Sequence, residues 1–263
     1  MLWGDMDETT INSKQNSTLK RIRSALLGNE DGVLVLEGTR LVRDAVQSGL
    51  RLELLLVECR SQGDLGDLEA HADETRLVAD GLLDNLGGLK HGPGVMALCR
   101  EPREVRLGDI ELGPTTRLLA IDGISDPGNL GALARAAEAL GVTALLLVRG
   151  GVRPWSAKAL RGSMGSLLRL PVATFETADI LTRALTDRKV RQVVALTRGG
   201  EAPESYAWRG PLALWVSAEV GQSGSLAPGM DGVTIQMDGA VESLNVTVAA
   251  SLLLQAARQG VSR

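Results

Sequence analysis

Hydrophobic positions in the first hundred residues alternate between a helical spacing and short continuous runs. Leu19, Ile22 and Ala25 recur at helical spacing, so we predict a helix over 17–27 that ends at Gly28. Short apolar runs bounded by polar residues are typical of strands. For this part of the chain we predict strands at 33–36, 52–57 and 95–99, further helices at 40–48 and 78–86, and a loop or weak helix over 61–76.

The pattern is more regular in the rest of the chain. A charged stretch over 100–116 carries Pro102 and Pro114, and we predict that it leads into a second domain. Strands then alternate with helices, which favours a parallel sheet covered by helices on both faces. We therefore divide the chain into a domain over 1–104, a linker over 105–116 and a domain over 117–263. In the last of these the predicted strands are 117–121, 144–148, 172–174, 192–196, 213–217 and 233–236, and the predicted helices are 130–140, 157–166, 178–186 and 244–259.

Charge and aromatic content restrict the partners that the chain can bind. The net charge is −4 and only six side chains are aromatic, which excludes a protein that holds polyanions by bulk charge or by base stacking. Residues 1–104 carry −6 and residues 105–263 carry +2. The acidic first part still groups basic residues locally, which indicates either contacts to a polyanion or a solvated helix face. These residues are Lys14, Lys20, Arg21, Arg23, Arg40 and Arg43.

Cysteine and histidine are too sparse for a disulfide framework or a metal site. Cys59 and Cys99 have no metal-ligand spacing, and His71 and His91 stand far apart. No apolar run approaches the roughly 18 residues of a membrane span, and the acidic N-terminus is not that of a secretory signal. We therefore expect a cytoplasmic protein with reduced thiols.

A first candidate for chemistry is the segment 126–135, which follows a predicted strand. Such a strand, turn and helix direct backbone N–H groups toward the carboxyl edge of the sheet. Gly131 and Arg135 are four residues apart and share a helix face, so Arg135 has room to meet an anionic ligand. The alternative is a surface ion pair between Arg135 and Glu138. The glycine spacing does not fit a dinucleotide fingerprint, and Walker and nucleophile-elbow motifs are absent.

Two further segments carry polar residues after apolar strands. In 214–221 the strand runs into a small-residue loop with one carboxylate, Glu219. In 233–249, Ser243 is placed to cap a mostly apolar helix. Asn245 in the first turn of that helix has no explanation in helix propensity, because Asn is a poor interior residue.

The order of these three segments resembles the SpoU/TrmH branch of the SPOUT RNA methyltransferases. The D-P-x-N-x-G-x-x-x-R, Gly-x-Glu, I-P-M and Ser-Leu-Asn motifs of that family all have counterparts here, as does its R-x-S-x-G stretch. Ser217 stands for the family's Gly and Gln236 for its Pro, both where the family's backbone wraps the methyl donor. The first domain is similar to the family's RNA-binding domain at 37–40 and 92–97. The matching residues are Asp126, Pro127, Asn129, Gly131, Arg135, Arg161, Ser163, Gly165, Glu219, Ile235, Met237, Ser243, Leu244 and Asn245.

This resemblance implies methyl transfer from S-adenosylmethionine to a ribose 2′-hydroxyl of RNA, without a metal. It implies a trefoil-knotted parallel sheet, a small α/β/α ribosomal-protein-like domain before it, and a homodimer formed through the C-terminal domain. The implied catalytic residues are Asn129, Arg135, Glu219, Ser243 and Asn245. The implied donor site comprises Thr197, Val216, Ser217, Gly221, Ile235, Met237 and Leu244. The expected RNA contacts are Lys14, Lys20, Arg21, Arg23, Arg40 and Arg161.

Ribosomal RNA is the substrate that the accessory domain favours, and transfer RNA is the near alternative. A second alternative is an RNA-binding member that has lost methyl transfer, because Ser217 and Gln236 depart from the family's pattern. A third is a metabolic α/β enzyme that uses a nucleotide, which the failed phosphate motifs disfavour.

Overall fold

The computed structural model describes residues 10–84, 86, 94–217 and 228–260. The chain forms two compact units, one from Met1–Pro102 with Trp155–Leu168 and one from Arg103–Pro154 with Arg169–Arg263. In the part that is described, no helix has the length and hydropathy needed to cross a membrane.

The first unit is built on a four-stranded sheet. Strand β4 is antiparallel to both β1 and β2, and β3 is parallel to β2, which gives the order β1-β4-β2-β3. Helix α1 begins where the Asn16 side chain accepts a hydrogen bond from the N–H of Thr18 at 2.8 Å, and it buries Leu19, Ile22 and Ala25 as predicted. The elements are α1 Ser17–Leu26, β1 Val33–Glu37, α2 Thr39–Gln47, β2 Leu52–Glu58, β3 Thr75–Val78 and β4 Val95–Arg100.

The second unit contains a six-stranded parallel sheet in the order β10-β8-β9-β5-β6-β7. Its central strands are continuous runs of buried residues, as expected when helices cover a parallel sheet. Its strands are β5 Arg117–Asp122, β6 Ala144–Val148, β7 Val172–Phe175, β8 Arg191–Leu196, β9 Leu212–Ser217 and β10 Met230–Thr234. Its helices are α3 Pro127–Ala139, α6 Ala178–Asp187 and α7 Val246–Gly260; α4 Ala157–Ser163 lies in the first unit, and α5 Ser166–Arg169 spans the boundary.

The predicted helix over 78–86 is wrong for the described residues of that range. Over 61–76, where a loop or weak helix is predicted, the short 3₁₀ helices Cys59–Asp64 and Leu68–His71 come before β3. Val78 ends β3, and the chain then turns at Gly81, whose φ is +80°. The buried carboxylate of Glu58 accepts hydrogen bonds from the N–H groups of Gly81 and Leu83, both at 3.0 Å. These amides therefore have a side-chain partner in place of a helical carbonyl.

The predicted helix over 157–166 is interrupted. Met164 adopts the left-handed conformation with φ of +51°, and Gly165 follows with φ of +83°. Helix α4 therefore ends at Ser163, and the short helix α5 begins at Ser166. The last strand is also shifted, because β10 spans Met230–Thr234 and stops before Gln236.

The segment predicted as a linker packs into the second unit. Leu107 and Ile110 are buried in the core of that unit, and the N–H of Val105 donates to the carbonyl of Val172 at 2.8 Å. The guanidinium of Arg188 donates to the carbonyl oxygens of Leu107 and Ile110. Leu107 and Ile110 of this segment therefore belong to the same hydrophobic core as the strands that follow.

A polar cluster ties β8 to β10 at the amino end of the sheet. Arg191 donates to the Tyr206 hydroxyl at 2.5 Å and to Asp231 Oδ2 at 3.0 Å, and the Tyr206 hydroxyl donates to the same carboxylate. The hydrogen bond from Tyr206 lowers the pKa of Asp231, with Arg191 adding to the effect. Burial raises the pKa of Tyr206, which stays a neutral donor.

Candidate active site

A cavity of about 250 Å³ opens at the carboxyl ends of β8, β9 and β10. Strand ends and the start of α7 form its walls, which are mainly aliphatic with a few hydroxyl groups. This is the edge at which open parallel sheets bind ligands. The lining residues are Ala195, Leu196, Thr197, Val216, Ser217, Ile235, Met237, Ser243, Leu244, Val246, Ala249 and Leu253.

The residues expected to hold the methyl donor meet at this cavity. Thr197, Val216, Ser217, Ile235, Met237 and Leu244 come from three strand ends and one loop, and all six line the wall. Gly221 lies outside the described residues. The sequence interpretation did not include Ala195, Leu196, Val246, Ala249 or Leu253, although all except Leu253 stand within four residues of a predicted position.

Neither Ser217 nor Gln236, the two departures from the family's motifs, has left-handed backbone at this wall. Ser217 is the last residue of β9 and is paired in register with Asp122, so it keeps extended backbone. Among the described non-glycine residues, only Met164 and Lys189 have positive φ. Gln236 is exposed, between the cavity residues Ile235 and Met237. A Cβ at position 217 therefore introduces no left-handed strain.

Two of the expected catalytic side chains are in contact beside the cavity. The Asn245 Nδ2 group donates to Asn129 Oδ1 at 3.3 Å, which joins the start of α7 to the start of α3. Asn245 is also the residue before α7, and its Oδ1 accepts from the N–H of Thr247 at 2.9 Å. The expected cap, Ser243, instead lines the cavity, so the cap prediction is wrong. The capping role explains why Asn stands at position 245.

The first turn of α3 holds Asn129 in place. Asp126 caps this helix, and its carboxylate accepts from the N–H of Asn129 at 3.1 Å and from the N–H of Gly128. Pro127 occupies the first helical position, where its missing N–H costs nothing. The side chain that contacts Asn245 therefore stands on a capped and conformationally restricted turn.

Arg135 is exposed on α3, and no described residue forms a hydrogen bond or ion pair with it. The alternative pairing with Glu138 is wrong, because Glu138 is held by Arg169 through two hydrogen bonds of 2.6 and 2.8 Å. Gly131, on the same face as Arg135, is buried. Arg135 is not among the residues that line the cavity, and Glu219 lies outside the described residues.

The basic residues of the first unit fall into two groups. Lys14, Lys20 and Arg40 are exposed, and Arg23 is exposed with a hydrogen bond to the carbonyl of Lys14. Arg21 instead bridges Glu30 and Glu53, and these carboxylates raise its pKa.

Arg161 is likewise committed to an internal partner. It forms an ion pair with Glu37, whose side chain is only 2% exposed. Burial raises the pKa of Glu37, while Arg161 opposes that shift. The sequence contained both partners, but their separation along the chain gave no signal for the pairing.

Comparison with known proteins gives a matching family model and relatives of most of the chain. The family model described as SpoU rRNA Methylase family matches residues 116–255. A protein from Xylella fastidiosa (strain 9a5c), named 23S rRNA (guanosine-2′-O-)-methyltransferase RlmB, is 35% identical over 78% of this chain and 88% of its own length.

Solved structures resemble the whole chain. A crystal structure described as an RNA 2′-O ribose methyltransferase is 27% identical, with a TM-score of 0.82 over 97% of this chain and 100% of that one. An AdoMet-bound rRNA methyltransferase from Sinorhizobium meliloti is 24% identical, with a TM-score of 0.85 over 95% and 97% of the two chains, and it shows the shared fold.

The fold and the cavity define an α/β methyltransferase. The chain belongs to the SpoU rRNA methylase family. The family resemblance, the parallel-sheet α/β fold class and the enzyme class of RNA 2′-O-methyltransferase are thereby confirmed. The trefoil knot stays a prediction.

Proposed function

We propose that this protein methylates a ribose 2′-hydroxyl of ribosomal RNA with S-adenosylmethionine as donor. The observation that carries the proposal is the convergence of six expected donor residues on one cavity, with the Asn129–Asn245 contact beside it. The Xylella fastidiosa relative, which matches 78% of this chain, is named for 23S rRNA, and this supports ribosomal RNA over transfer RNA as the substrate.

The cavity residues fit the donor. Aliphatic walls from Leu196, Val216, Ile235 and Leu253 suit the adenine ring and the methionine methylene groups of the donor, and strand-end backbone groups suit its polar edges. When bound, S-adenosylmethionine supplies an electrophilic methyl group on its sulfonium. The chain's own residues must then hold the ribose hydroxyl in line with that methyl.

We assign the RNA side of the site to Arg135, Asn129, Glu219, Ser243 and Asn245. Arg135 presents a planar fork of N–H donors that matches the oxygens of a phosphate. It is therefore suited to hold the target phosphate and to stabilise the alkoxide that develops as the hydroxyl loses its proton. The joined amides of Asn129 and Asn245 supply a hydrogen-bonding platform for the ribose.

In the first unit we assign RNA contacts to the exposed Lys14, Lys20, Arg23 and Arg40. We withdraw Arg21 and Arg161 from this role, since their guanidinium groups are held by carboxylates of the same unit. A few contacts of this kind suit recognition of folded RNA by its shape.

We also propose a cytoplasmic homodimer formed through the C-terminal unit. Val248 and Leu252 stand four residues apart on α7 and are 48% and 50% exposed. An apolar pair on one helix face suits burial against a second copy of the chain.

Two measurements test the function. Calorimetry with S-adenosylmethionine should show donor binding, and 2′-O-methylation mapping should show one ribosomal site that disappears when the gene is deleted. Absence of donor binding at millimolar concentration would support an RNA-binding protein without activity. A lost site in transfer RNA would instead support the transfer-RNA alternative.

A further inference from the structure

The loop after β8 carries an arginine that the donor cavity and the expected catalytic set leave unused. Thr197 lines the cavity, and Arg198 is the next residue. The loop then passes through Gly199 and Gly200 to Glu201, which pairs with Val233 of β10. Arg198 therefore stands at the same sheet edge as the cavity.

Three hydrogen bonds fix this loop on β10. The N–H of Gly200 donates to Thr234 Oγ1, the N–H of Glu201 donates to the Gly232 carbonyl, and the N–H of Thr234 donates to the Glu201 carbonyl, each at 2.9 Å. The backbone of the loop is thus positioned by a strand of the sheet.

Close packing at Gly200 restricts the loop further. A Cβ at this position would lie 2.7 Å from backbone atoms of Val233, which is closer than real Cβ contacts. Gly199 has φ of +82°, a conformation that L-residues rarely adopt. Gly199 and Gly200 therefore let the loop pass close to the backbone of β10 directly after Arg198.

The Arg198 side chain is exposed, and no described residue forms an ion pair or hydrogen bond with it. Arg149, which follows the carboxyl end of β6, differs, since it is paired with Glu176. An exposed guanidinium on a fixed backbone beside a ligand cavity is suited to receive an anion.

We propose that Arg198 contacts a backbone phosphate of the substrate RNA next to the nucleotide being methylated. The inference rests on the proposed function, because an RNA strand that brings its ribose to this cavity must carry its phosphates along the rim. A guanidinium can hold two phosphate oxygens at once and so fix the position of the strand. The carboxylate of S-adenosylmethionine is the other anion that a guanidinium can bind here, and the experiment distinguishes it from an RNA phosphate.

The experiment compares full-length wild type with Arg198→Ala and Arg209→Ala. Arg209 is a matched control, because its side chain is also exposed without an ion pair or hydrogen bond to a described residue, but it precedes β9 at the opposite edge of the sheet. Binding of in vitro transcribed 23S rRNA is measured without donor at several salt concentrations, and donor binding is measured by calorimetry.

Arg198→Ala should weaken RNA binding about three- to tenfold at low salt and reduce the salt slope by about 1, as expected for one lost phosphate contact. Donor affinity should stay unchanged, and Arg198→Lys should recover part of the RNA affinity. Arg209→Ala should match wild type.

Unchanged RNA affinity in Arg198→Ala would overturn the proposal, as would a loss of donor affinity instead. An equal loss of RNA affinity in Arg209→Ala would also overturn the proposal, since the loss would then reflect overall positive charge and not a contact at residue 198. The RNA measurement requires no turnover, so failure of the wild type to methylate would reject the proposed function and leave this test intact.

Discussion

At the scale of single residues, Arg135 and Asn245 show opposite ways in which a side chain can be available for chemistry. Arg135 has no partner among the described residues, because its nearest acidic candidate, Glu138, is held by Arg169. Asn245 has two partners, since its Oδ1 accepts from the Thr247 N–H at the start of α7 and its Nδ2 donates to Asn129. The first residue is free to bind a ligand, and the second is held in position for one.

Replacing Arg135 by Ala should lower methyl transfer by a factor of about 10² to 10³ or more, the cost of removing one donor to a developing oxyanion. Donor affinity should change little, because Arg135 does not line the cavity. Single-turnover methylation and calorimetry measure the two effects, with Arg183→Ala on α6 as the control. Loss of donor binding would refute the assignment of Arg135 to the RNA side.

Asn245 permits a separation of stability from activity. Asn245→Asp keeps an oxygen that can accept from the Thr247 N–H but loses the amide that donates to Asn129. It should retain the melting temperature and lose methyl transfer, whereas Asn245→Ala should also lose about 1 kcal/mol of stability with the cap. Full activity in Asn245→Asp would show that the contact with Asn129 has no role.

At the scale of elements, the sequence predicts most strands of the second unit within one or two residues. Their buried runs, such as 144–148, are bounded by polar residues, so local pattern and tertiary position agree. One error occurs where a distant group decides the outcome, since Glu58 supplies the acceptor that replaces a helix after Val78. The other has a local cause, since the left-handed residues Met164 and Gly165 end α4. Hydrophobic periodicity shows neither cause.

The same limit applies to the candidate site. The six residues that motif order assigns to the donor line one cavity, because strand ends of a parallel sheet meet at one edge. The pairing of Arg21 with Glu30 and Glu53, and that of Arg161 with Glu37, required the folded chain.

The link between β8 and β10 should make stability depend on acid pH. The hydrogen bond from Tyr206 lowers the folded-state pKa of Asp231 below its ordinary value of 3.8. Its stabilising contribution is therefore present above that value and is lost as the pH falls through the folded pKa. Urea unfolding should show wild type more stable than Asp231→Asn at pH 6, with the difference shrinking as the pH falls below 3.8. A difference independent of pH would contradict this account.

At the scale of the whole molecule, a net charge of −4 is compatible with an RNA enzyme that uses few cations. Two of the six side chains expected to contact RNA, Arg21 and Arg161, are paired with carboxylates of their own unit. Fewer cations are therefore available to RNA phosphates than the sequence predicts. We therefore expect a shallow dependence of RNA affinity on salt, and a slope equivalent to about ten phosphates would contradict it.

Leu252→Glu should convert the proposed dimer to a monomer, because it places a charge in an apolar face of α7 that is half exposed in one chain. Light scattering after size-exclusion chromatography measures the mass. Ile180→Glu is the matched control, since Ile180 is exposed to a similar extent on α6 and should leave the mass unchanged. A monomeric wild type would refute the dimer.

The grouping of Trp155–Leu168 with Met1–Pro102 restricts how the protein can be divided. A fragment that begins at residue 103 would retain Leu160 and Leu167, which are fully buried here, but would lose the strand that supplies Glu37 to Arg161. A single cut in the chain therefore does not separate the two units. A chimaera that grafts another RNA-recognition module onto this enzyme must exchange the inserted segment together with the N-terminal one.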